Sequence, residues 1–274
     1  MLLLIALIIS LSISAKAQLV DDLGDESRLY AESKQVNQFF RRFNGEEDEK
    51  GNRYYSSDKP YRSNKLRKKF LGILFDESNT GIGHALRKEF TENVLGDPEA
   101  SILDFHGGNW FAEVNVLLQM NGIDRMVTLY MELEKNHLGH KWVIGKAYAD
   151  WLNIFFSRDT AKVGRFLHPM SHELDFMNLR KAFAYSDSIS QFTVKGFQPD
   201  HLSLLLYEVK KGNLKFKSVA LIRFHFFQIK GWYFELSDFN RSGYNTGWLI
   251  SNLVRLKDDK EKDIMKRYLY HATY

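Results

Sequence analysis

Arg223 and His225 are the residues whose types and spacing come nearest to a chemical site. Strand alternation across 219–229 puts Val219, Leu221, Arg223, His225, Phe227 and Ile229 on one face. Ala220, Ile222, Phe224 and Phe226 fall on the other. A guanidinium and an imidazole midway along an apolar face can line a pocket, the first gripping an anion and the second exchanging a proton near neutral pH. Arg223, His225 and Phe227 are therefore the candidate ligand-binding residues. The same alternation also fits a solvent-facing sheet surface, with Phe227 packing elsewhere.

The other chemistry-bearing residues make weaker constellations. His168 and His172 stand four apart beside Glu173, a spacing that sets two metal ligands on one helical face, but Pro169 between them interrupts such a helix. His137 and His140 flank a turn like a loose metal clip. Neither pair has a third ligand, so the expectation is no metal and no cofactor. Asp104 and His106 precede Gly107-Gly108 and read as a turn after a short strand, not as an acid–base pair. No Gly-x-Ser-x-Gly elbow, His-Glu-x-x-His, phosphate-binding loop or dinucleotide fingerprint occurs. With no cysteine in the chain, thiol catalysis, thiolate metal sites and iron–sulfur clusters are excluded.

Arg62, Lys65, Arg67, Lys68 and Lys69, near Tyr54, Tyr55 and Tyr61, form the densest basic cluster. It reads as the solvated face of a helix, with Arg67, Lys68 and Lys69 turned to water. The formal charge is +4 over 274 residues, falling to +3 without Lys16, too little to imply a nucleic-acid partner.

The elements that would position these groups follow from hydrophobic period. Val36, Phe39, Phe40 and Phe43 share one helical face, ended by Asn44-Gly45. An acidic, polar loop runs to Pro60. Ser63 caps a second helix carrying Leu66, Phe70 and Ile73, and a third carries Leu86, Phe90 and Val94. The period then becomes two. Val114 to Met120, the hairpin turn Asn121-Gly122, Val127 to Glu134 and a strand over 141–149 with Trp142 make three antiparallel strands. The second half is expected to repeat this grammar: a helix over 173–184, strands around 191–194, 202–209 and 217–229, and a last strand opening at Trp232. Trp248, Leu249, Leu253 and Val254 belong to a further helix or strand, and 258–270 reads as an amphipathic helix.

Helices followed by antiparallel hairpins, with Lys141-Trp142-Val143-Ile144 and Gly231-Trp232-Tyr233-Phe234 entering late strands, resemble the nuclear-transport-factor-like (cystatin-like) α+β cone architecture. The resemblance covers about 65 to 156 and again about 171 to 240. It implies two tandem cone-like α+β domains, 34–158 and 159–257, with a C-terminal helical tail over 258–274. Members of that superfamily include isomerase- and cyclase-like enzymes and many non-catalytic modules, so the resemblance does not choose a function. One large sheet is the alternative to a duplication.

The first residues bear on compartment. Leu2 to Ile13 is an apolar run followed by Ala15-Lys16-Ala17, the pattern of a secretory signal (1–17) cut after Ala17, with 18–33 a polar lead-in. The run lacks a leading Lys or Arg, so the true start can lie upstream of Met1. It is also shorter than the roughly 20 residues of a spanning helix, so no stable membrane anchor is expected. The expectation is a secreted or periplasmic protein that binds a small apolar ligand or an envelope protein without catalysis, and a dimer is compatible with it. A cone-fold enzyme with a hydrophobic active site and a structural envelope component are the alternatives.

Overall fold

A computed structural model describes residues 36–97, 101–137, 139–156, 176, 179–184, 189, 191–194, 199–242 and 245–271. The His168 and His172 pair, the lead-in and the apolar N-terminal run lie outside the described residues, as do 173–175, 177 and 178 of the helix expected over 173–184; within that span Arg180–Phe183 is helical.

The chain is α+β. Helix α1 occupies 36–44, α2 is Asn64–Leu71 and α3 is His84–Gly96. Strands β1 (Trp110–Met120), β2 (Ile123–Asn136) and β3 (Gly139–Tyr148) follow, then a 3-10 turn over Asp150–Phe155. Short α4 (Arg180–Phe183) and α5 (His201–Lys210) lead to β4 (Leu214–Phe226), β5 (Trp232–Phe239), β6 (Gly247–Arg255) and the last helix α6 (Asp259–Leu269). The strands form one six-stranded antiparallel sheet in the order β3-β2-β1-β4-β5-β6. β4 and β5 pair with Arg223 opposite Ser237 and His225 opposite Glu235.

Two segments differ from the expected grammar. Residues 202–209 are helical, not a strand, because Asp200 caps them: its carboxylate accepts from the Ser203 amide at 2.9 Å and from the Ser203 hydroxyl at 2.6 Å. Gln191 and Phe192 lie in a 3-10 turn and not in a strand. The strand-for-strand match between the halves therefore does not extend to these elements.

Two compact units divide the described residues. The first contains those up to Ala112 together with Leu133–Lys141 and Ile222–Tyr268. Its core is aromatic. Phe39, Phe40 and Phe43 of α1, Phe90 of α3, Trp110 of β1, Phe226 of β4 and Phe234 of β5 are all buried. Phe226 stacks on Phe234 at 4.8 Å and on Trp110 at 5.2 Å, while Phe90 meets Trp232 edge-on at 5.2 Å. A segment after α2 is sewn to β6 through Leu74 and Asp76, both bonded to the Ile250 backbone. Arg241 clamps that segment, donating to Asp76 at 2.6 Å and to the Ser78 hydroxyl at 2.8 Å. Desolvation pushes the Asp76 carboxyl up, but the bonds from Arg241 and Ser78 outweigh it and leave it below the usual value.

The second unit contains the described residues of Glu113–Glu132, Trp142–Leu221 and Leu269–Tyr274. Its core is aliphatic: Val116, Leu118, Val127, Ala147, Ala149, Leu152, Leu205 and Leu214 pack together. Among the described residues no helix is long and apolar enough to cross a membrane.

Candidate functional site

The described residues contain a cavity of about 410 Å³ in the first unit, lined by α1, the two loops that follow it and the loop before β1. Helix α1 contributes Asn37, Phe40, Arg41 and Asn44. The apolar face of this helix packs on the aromatic core, so Asn37 and Arg41, off that face, are left to line the cavity.

The loop 46–54 is bent back on itself. Glu47 and Arg53 form a β-bridge, and the Asp48 carboxylate accepts from the amides of Lys50 and Asn52, each at 2.8 Å. The bond from the Asn52 side chain, with those from the two amides, holds the Asp48 carboxyl below its ordinary value. The turn delivers Glu46 and Arg53 to the cavity. Glu47, fully buried behind it, accepts from Arg41 Nε at 2.9 Å and Arg42 Nε at 2.8 Å. Arg62, with φ of 55°, is fixed by its amide bond to the Gly45 carbonyl and by its ion pair with Glu46 at 2.6 Å.

The facing wall carries Ile102, Leu103, Asp104, Phe105 and His106. Two side-chain amides lock this loop by pairing with its backbone. Asn44 donates to the Leu103 carbonyl at 2.8 Å and accepts from the Leu103 amide at 2.9 Å. Gln228 does the same at Asp104, at 2.7 and 3.0 Å. The Trp110 indole donates to the Phe105 carbonyl at 3.1 Å. Such pairing leaves few backbone groups unsatisfied and fixes the loop without secondary structure.

Electrostatically the cavity sets three guanidiniums, Arg41, Arg53 and Arg62, against the carboxylates of Glu46 and Asp104. Arg41 and Arg62 are engaged by Glu47 and Glu46. Arg53 lies over the Tyr55 ring at 5.5 Å, and no carboxylate of the described residues pairs with it. Beneath, Arg67 is fully buried, donating to the carbonyls of Phe43 at 3.3 Å and Ser101 at 2.5 Å. Burial, with the nearby charge of Arg62, holds its guanidinium below the ordinary value. The expectation that Arg67 faces water is thus corrected: two backbone carbonyls accept from the guanidinium inside.

The residues singled out from the sequence are placed as follows. His225 is fully buried in β4, its Nδ1 2.9 Å from the Tyr233 hydroxyl and its ring stacked on Phe111 at 4.8 Å. Arg223 is half-buried and 3.8 Å from Glu235. Phe227 lies past the end of β4, 3% exposed, with Lys266 of α6 over its ring at 5.3 Å. None of the three lines the cavity. Asp104 and His106 do line it, in a turn as expected, though 102–104 form no strand. His140 sits beside His106 and not His137. Its Nδ1 is 3.3 Å from the Nδ1 of His106. Of the basic cluster only Arg62 reaches the cavity. Arg41, Arg53, Asn37, Asn44 and Glu46 were not foreseen. The sequence signal for them is Arg41-Arg42 on an aromatic helix directly before Glu46-Glu47-Asp48-Glu49.

No family model, curated protein or solved structure matches this chain.

Proposed function

We propose that this protein is an exported, non-catalytic binding module whose site is the arginine-lined cavity and whose ligand is a small molecule bearing an oxyanion. The observation that carries the reading is Arg53, a guanidinium at a cavity of about 410 Å³ with no carboxylate of the described residues paired to it. A planar guanidinium is suited to bidentate capture of carboxylate or phosphate oxygens. Asn37 and the His106 ring add polar atoms to the lining, and Phe40 and Phe105 add apolar walls. The ligand-binding reading attached to Arg223, His225 and Phe227 has less support, because the His225 ring is enclosed and already bonded to Tyr233.

The finer architectural reading, a cone-like fold built by duplication, is proposed on the same footing. What supports it is the strand order: β1-β2-β3 and β4-β5-β6 are two meanders adjoining at their first strands. Export with removal of 1–17 rests on the apolar run and Ala15-Lys16-Ala17.

The test is calorimetric titration of the mature protein with inorganic phosphate, succinate and citrate. At least one is expected to bind saturably with one-to-one stoichiometry, more weakly at high salt. Arg53→Gln should weaken it by about tenfold or more, the worth of one charge-assisted hydrogen bond. Absence of saturable binding across the panel, or binding indifferent to Arg53→Gln, sinks the proposal.

A further inference from the structure

His106 and His140 come together from distant parts of the sequence. His106 lies in the locked loop before β1, and His140 opens β3 after the β2–β3 turn. Both side chains are exposed, their ring centroids 4.4 Å apart and their Nδ1 atoms 3.3 Å apart. That separation has a chemical meaning. Two imidazole nitrogens, each about 2.05 Å from a common tetrahedral zinc, stand about 3.3 Å apart. The nitrogen–nitrogen distance is that of a chelate's bite, and equally that of a hydrogen bond between the two rings when no ion is bound.

The surroundings keep it in place. The His106 amide donates to Asp104 Oδ1 at 2.9 Å, and Asp104 is itself clamped by Gln228. Phe105 packs edge-on against the His106 ring at 5.4 Å. On the other side, Lys141 next to His140 is ion-paired with Glu134 at 3.4 Å, which draws its ammonium toward a carboxylate.

We propose that His106 and His140 form a two-imidazole chelate for a divalent transition ion of the zinc class. Imidazole is a ligand of choice for such ions, whereas calcium and magnesium take oxygen donors. Among the described residues no third His, Cys, Asp or Glu completes the set, so water or an oxygen of a bound anion fills the remaining positions. His106 also lines the arginine cavity, which would set the ion beside an anion bound there. The chelate itself does not depend on the anion reading.

The test uses zinc alone, with the mature protein, no added anion and the thermal midpoint followed in parallel. Wild type is expected to bind one ion saturably and to gain thermal stability with it, since ligands that bind only the native state stabilise it. His106→Gln and His140→Gln should each weaken binding by at least about tenfold, the lower end of the loss caused by removing even an outer-shell partner. Both residues are exposed, so both variants should keep the wild-type midpoint without zinc. His137→Gln and the pair His168→Gln with His172→Gln should bind as wild type does. Loss of binding in either of those variants with retention in His106→Gln assigns the ion to a sequence-adjacent clip and overturns the proposal. So does absence of saturable binding, or binding that none of the substitutions changes.

Discussion

At Gly45 the backbone turns with φ of +70°, and a Cβ there would come 2.8 Å from Cγ of the buried Arg67. The turn ends α1, and the Gly45 carbonyl receives the Arg62 amide at 2.9 Å, so one residue sets where two walls of the cavity meet. Gly45→Ala should cost about 1–2 kcal/mol for the left-handed conformation alone, before the contact with Arg67 is counted. Denaturant unfolding measures it, and oxyanion affinity should fall with it because a shifted turn moves the carbonyl that holds the Arg62 amide. An unchanged midpoint would mean that the turn relaxes and does not tie Arg67 to the site. Little of this was legible in the sequence. Asn44-Gly45 announces a helix end, but nothing in local pattern tells that Arg67, flanked by Leu66 and two lysines, turns inward. Its burial depends on carbonyls of Phe43 and Ser101, 24 and 34 residues away.

Among the elements, the helices with isolated aromatic stripes were readable and the leucine-rich one was not. Val36, the adjacent pair Phe39 and Phe40, and Phe43 are spaced by Asn37-Gln38 and Arg41-Arg42, so only the 3.6 period fits, and all four are buried. In His201–Lys210 the run Leu202, Leu204, Leu205 and Leu206 satisfies both periods. Leucine favours helix and the cap decides it, yet an Asp one residue before a His is easily passed over. The start of α5 is pinned again by His201, whose Nε2 lies 3.0 Å from Asn153 Oδ1. Burial, with the charge of Lys146 behind it, holds the His201 imidazole below its ordinary value. Asp200→Ala should therefore cost about 1 kcal/mol, the typical worth of a lost N-cap. The pH dependence has a definite sign. Hydrogen bonds from Ser203 lower the Asp200 carboxyl in the folded state, against a smaller opposing effect of burial. The stability it contributes is present above the unfolded value of 3.8 and is lost as pH falls through the lower folded value. Acid titrations of unfolding free energy should show a shallower fall below that value in Asp200→Ala than in wild type. Parallel curves would mean that the cap bond does not operate in solution.

On the scale of the whole molecule, the fold is held by packing and polar clamps, because the chain has no cysteine to cross-link. An aromatic core in one unit and an aliphatic one in the other supply the burial. That matters for export, since a chain that leaves the cytoplasm without disulfides must fold in the new compartment from its pattern alone. Ala15 and Ala17 supply the small residues expected before a signal cut, and Gln18 would open the mature chain. Expressed with its first residues in a Gram-negative host, the protein should appear in the periplasmic or culture fraction with an intact mass beginning at Gln18. Ala17→Leu, which puts a bulky side chain where cleavage needs a small one, should leave 1–17 attached and hold the protein on the membrane. Wild-type protein recovered from the membrane with Met1 to Ala17 intact would contradict cleavage and release after Ala17. In that case the first residues would tether the protein to the membrane, and the titration of Arg53 would remain the measurement that tells whether the cavity binds an oxyanion.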